Sequence, residues 1–135
     1  MRLRHLCVPL LAAMIVLCAG CAGSARIGKF ADSGSHPGDI VLLSDGLAEH
    51  VQFSADGVRT SGFGAIAAVT VVRAASARPV LVDYRFVFLN RAGEIVQPVM
   101  DWTIIRLEPG RTTELRARAP RDSARDARLE IRWAR

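Results

Sequence analysis

The sequence predicts an all-β domain, a sandwich or barrel of about seven strands. Three observations carry this. From residue 39 onward the apolar runs are short, turn residues separate them, and within several runs apolar and polar side chains alternate. Half of the 135 residues are hydrophobic and 23% are charged, an ordinary globular balance. The length allows one domain and no second one.

The chain does not begin with that domain. Arg2, Arg4 and His5 precede twelve uncharged residues, LCVPLLAAMIVL at 6–17. A spanning helix needs about twenty apolar residues. The run is shorter, so it reads as the apolar core of an export signal over residues 1–20. Ala19-Gly20-Cys21 then resembles the lipobox of bacterial lipoproteins, with Cys18 where Leu, Val or Ile is usual. The resemblance implies cleavage before Cys21 and acylation of that cysteine; plain secretion is the alternative.

Cleavage there would separate Cys18 from Cys21, so the apparent C-x-x-C is no redox pair. Cys7 would leave with the leader, and residues 22–135 hold no cysteine for a disulfide, a thiolate nucleophile or a zinc-thiolate site. Each buried methylene of an acyl chain contributes about 0.8 kcal/mol, and several chains make an anchor stable. By resemblance to Gram-negative lipoproteins, Ala22 in place of Asp implies the outer membrane, with the protein on its periplasmic face.

Residues 21–38 are rich in Gly, Ser and Ala without alternation and read as a flexible tether. Gly23 to Lys29 matches the opening of a phosphate-binding loop. Phe30 follows in place of Ser or Thr, and no strand precedes Gly23, so the match is fortuitous.

The domain spans 39–135. Residues 40–44 and 50–53 make short strands, and 65–73 a β-branched one. Over 80–89, Val80, Val82, Tyr84, Phe86 and Phe88 share one face and form the core side, while Asp83 and Arg85 point the other way. Asn90 to Gly93 is a turn, with a return strand over 94–99. Pro109 and Gly110 suit the centre of a type II turn between successive strands at 102–107 and 112–119. Thr113, Leu115, Ala117 and Ala119 face inward. Residues 120–128 suit a short helical turn, and Leu129, Ile131 and Trp133 define a closing strand.

Residues 66–133 resemble the YcfL-like family of small periplasmic lipoproteins of uncharacterised function. The likeness rests on DYRFVFLNRAGEIV at 83–96, LEPGRTTEL at 107–115 and the lipobox-like start. It implies an immunoglobulin-like sandwich on a lipid tether and carries no catalytic residue.

The residues themselves argue for a non-enzyme. His50 beside Glu49, with Asp45 upstream, could supply a base and an orienting carboxylate, but adjacent strand residues diverge. His36 reads as solvated linker. No G-x-S-x-G occurs. Asp122 and Asp126 lie among Arg121, Arg125 and Arg128, a salt-bridged surface turn. No metal or cofactor set stands out.

Without Arg2 and Arg4 the eighteen basic residues fall to sixteen against thirteen acidic, a net +3. That is too mild for nucleic acid. Seven arginines do fall within the last twenty residues, against three acids. Among them Arg116, Arg118 and Arg125 offer a surface for an acidic envelope polymer or protein. Trp102, just after a turn, is a candidate contact residue. The expectation is a lipid-anchored envelope module that docks a protein partner by a strand edge or an outer sheet face. The alternatives are a binder of cell-wall polymer or a small ligand, and, further off, an envelope hydrolase.

Overall fold

The computed structural model describes residues 29–32 and 34–135. The expected leader, Cys21 and the start of the tether lie outside the described residues.

Alternation in the sequence becomes the inner faces of two sheets. The strands are β1 (Ile40–Leu42), β2 (Val51–Phe53), β3 (Arg59–Ser61), β4 (Ala67–Ala74), β5 (Val80–Leu89), β6 (Thr103–Leu107), β7 (Thr113–Arg118) and β8 (Asp126–Trp133). One turn of 3-10 helix, Leu47–Glu49, joins β1 to β2. The first sheet has the order β1-β8-β5-β6. Its β1 runs parallel to β8, and its other pairings are antiparallel. In the second sheet β4 is central: β7 pairs along one side from Ala67 to Val72, and β2 and β3 share the other.

The core lies between the sheets. Val82, Phe86, Leu129 and Ile131 of the first meet a second-sheet face that includes Phe53, Val72 and Leu115, all at 1% exposure or less. Each such side chain contributes roughly 1.5–3 kcal/mol by leaving water. Thr70, buried among them, donates to the Gly57 carbonyl at 2.8 Å. This is the predicted β-sandwich, with eight strands where the sequence suggested about seven. The one that no sequence segment announced, β3, is a fully exposed Arg-Thr-Ser without apolar alternation.

The turns follow their chemistry. Asn90 Oδ1 accepts from the Ala92 and Glu94 amides at 2.9 Å, and Arg111 N donates to the Glu108 carbonyl at 3.3 Å. Two expectations need correction. The return strand over 94–99 is reduced to a Leu89–Ile95 bridge and a Val96 amide on the Phe88 carbonyl. Pro98 has no N–H to extend it. The strands on either side of Pro109-Gly110 are successive as expected, and they part between the sheets, β6 in the first and β7 in the second. Residues 120–125 form bends and a turn rather than helix, with β8 already begun at Asp126.

Residues Lys29 to Ala31, assigned to the tether from sequence, lie against β2. Ala31 N donates to the Phe53 carbonyl and Ala55 N to that of Lys29, at 2.9 and 2.8 Å. The Arg73 guanidinium sits 4.0 Å from the centre of the Phe30 ring.

Candidate functional site

Alternation sends Asp83 and Arg85 to the face of β5 opposite Phe86, and register decides what they meet there. Arg85 pairs with Glu130, and Asp83 lies between Arg132 on β8 and Ile104 on β6. Arg85 grips Glu130 Oε2 with Nη2 at 2.7 Å and Nε at 2.8 Å. Arg128 donates to the other oxygen, Oε1, at 3.0 Å, and Arg132 Nε to Asp83 Oδ2 at 3.2 Å. Both acids are buried, at 3% exposure for Asp83 and 7% for Glu130. Asp83 Oδ1 has no hydrogen-bond partner.

Trp102 lies over this network. Its ring centre is 3.8 Å from the Arg132 guanidinium and 4.5 Å from that of Arg85. The residue just precedes β6, so the crossing from the first turn into that strand delivers the indole to the sheet. A cation on an indole face, partly desolvated, is held by about 1–2 kcal/mol. Beside the stack Leu81 and Ile104 are 51% and 59% exposed. The patch combines an aromatic ring, oriented guanidinium groups and bare aliphatic surface on rigid strands. Those are the ingredients of a binding hot spot. Its two acids are paired with arginine.

A concavity opens at the end of the sandwich, a cleft of about 380 Å³ lined by His50, Ser76, Arg78, Pro79, Leu81 and Trp133 among others. His50 meets Trp133 edge-on at 5.3 Å, and the indole N–H donates to the Asp45 carbonyl at 3.2 Å. Glu49 belongs to the 3-10 turn and makes no hydrogen bond to His50. Among the described residues no three His, Cys, Asp or Glu side chains gather as metal ligands would.

The arginines that are close in sequence separate in space. Arg116 and Arg118 are exposed on β7, where Arg116 pairs with Glu114 of its own strand. Arg128 and Arg132 belong to the first sheet. The expected salt-bridged turn takes another form, because Arg121 donates to the Gln97 carbonyl and Arg125 to those of Asp122 and Ala124. Backbone carbonyls were within easier reach than the carboxylates. Sequence reasoning found Trp102 but missed Asp83 and Glu130 as buried anchors. Acids on an apolar strand opposite arginines were the available signal.

A family model described as "Protein of unknown function (DUF1425)" matches residues 38–133, more than half of the chain. Among solved structures, Campylobacter jejuni cj0090 is similar at 25% identity and a TM-score of 0.58, over 73% of this chain and 100% of that one. A DUF1425 family member from Shewanella sp. pv-4 is similar at 21% identity and a TM-score of 0.56, over 82% of this chain and 94% of that one. The second likeness concerns the fold alone. No curated protein matches.

Proposed function

The chain belongs to the DUF1425 family, whose function is unknown, and from that premise we propose that it is a non-enzymatic, lipid-anchored accessory module of the cell envelope. It docks a protein partner on the outer face of the first sheet. The YcfL-like resemblance and the lipobox-like Ala19-Gly20-Cys21 support the anchored placement, at the periplasmic face of the outer membrane.

The observation that carries the docking reading is Trp102 stacked on Arg132 and Arg85, with exposed Leu81 and Ile104 beside it. Tryptophan and arginine dominate hot spots because they bury much area while keeping a fixed polar edge. Strand β6 is also the last in its sheet, so its outer main-chain groups are open to an added strand. A segment laid there would pass Ile104 and reach the indole.

A photo-crosslinker at Ile104 in intact envelopes should give one discrete protein adduct. Trp102→Ala should remove it with the far-ultraviolet circular dichroism unchanged, since loss of a hot-spot tryptophan costs about 2 kcal/mol or more, roughly 30-fold in affinity. Adducts made only of glycan strands would overturn the protein-partner reading. The cleft at His50 and Trp133 favours a second reading, a small ligand with an apolar body and an acidic group near Arg78.

A further inference from the structure

Phe63 stands outside the core altogether, 103% exposed, at the tip of the β3–β4 loop. Gly62 and Gly64 on either side have φ of +107° and +74°, so the backbone turns tightly and thrusts the ring outward. A cleft of about 360 Å³ at its base is lined by Ile66, Asp122 and Arg125 as well as the loop itself. An isolated, fully solvated phenylalanine contributes nothing to this fold.

The position of the loop is what gives it meaning. Ser61 pairs with Ala67, and the Ala119 amide donates to the Ile66 carbonyl at 2.8 Å, which sets the Phe63 loop beside residues 119–125. Leu89 pairs with Asp126, so the Asn90 turn and the partly exposed Ile95 belong to the same end. Lys29 to Ala31 runs antiparallel to β2, with Lys29 level with Ala55 and Ala31 with Phe53, and β2 in turn advances toward the Ala67 end of β4. Within this segment, therefore, Lys29 lies nearer the Phe63 end than Ala31 does.

We propose that this end of the sandwich rests on the phospholipid bilayer that holds the anchor, with the Phe63 ring entering the headgroup region. The inference rests on the anchored reading of Cys21. Eight peptide steps separate Cys21 from Lys29, and at about 3.3–3.6 Å each they reach no more than roughly 29 Å. That reach keeps the domain close to the bilayer, and because Lys29 lies on the side of its segment nearer Phe63, the Phe63 end is the one that would meet the surface, with the Trp102 face and the His50 cleft directed away from it or along it. Arg91, Arg118, Arg121 and Arg125 at this end are partly offset by Glu94, Asp122 and Asp126. Insertion of the apolar ring is the contact, and the basic side chains can extend to the phosphates around it.

The test uses the mature acylated protein in vesicles of phosphatidylethanolamine and phosphatidylglycerol, some with brominated chains. Phe63→Trp adds an indole where no packing is disturbed, and the native Trp102 and Trp133 serve as internal references. The added emission should shift to the blue and be quenched by bromine, whereas that added by Leu43→Trp, beside Ser44 at the opposite end, should not. An acylated protein whose Phe63→Trp emission is unquenched, or in which Leu43→Trp is quenched instead, overturns the orientation and leaves the anchor standing. Mass analysis showing Cys21 unacylated overturns both.

Discussion

Glu130 is the side chain on which the outer-face network converges, since it neutralises Arg85 and Arg128 together while nearly excluded from water. Removing it would leave two guanidinium groups facing one another without their shared counter-charge. Loss of one partner from a buried ion pair costs about 3–5 kcal/mol, but Arg85 and Arg128 are 28% and 36% exposed and can rehydrate. Glu130→Ala should therefore lower stability by roughly 2 kcal/mol, read from the urea midpoint. It should also loosen Trp102, whose emission should move to longer wavelength as Arg85 leaves the ring.

Among the connections, the one from β2 to β3 is the most tightly constrained. Gly57 has a φ of +63°, its carbonyl accepts from Thr70, and a side chain there would collide with the Asp39 carboxylate and the Pro37 ring. Asp39 is held in place because Oδ2 accepts from the Val58 amide at 2.7 Å. The carboxylate cannot retreat without losing that bond. Gly57→Ala should cost about 2–4 kcal/mol from the backbone conformation and the collision together. A thermal midpoint equal to that of the parent would show that the loop relaxes freely. Elements of this kind were half legible in the sequence. Asn90 and Pro109-Gly110 announced turns through residues within four positions, whereas β3 had no apolar alternation to announce it and is a strand only because β4 offers it a partner.

The whole domain is held by one core between two sheets, with no cysteine anywhere from residue 29 to 135. Phe86, at the centre of β5 and wholly buried, touches that core from a strand paired on both sides. Phe86→Ala should cost about 3–5 kcal/mol, a large part of the 5–15 kcal/mol typical of a domain. Denaturant titration with or without a thiol reductant should return the same loss. A reductant-sensitive midpoint would mean that something other than packing holds the fold.

By itself the sequence determined which side of each long strand faces inward and where the chain turns, because both depend on side chains two to four positions apart. Val80, Val82, Phe86 and Phe88, and Leu115, Ala117 and Ala119, are buried as their alternation requires, while Asp83 and Val87 on the outer face are buried as well. Only the tertiary structure decided that β6 and β7 part into different sheets, that Arg85 finds Glu130 across 45 residues and that Arg132 finds Asp83 across 49. Register between distant strands is set by how two apolar faces fill one interior, and no local pattern encodes which ladder results.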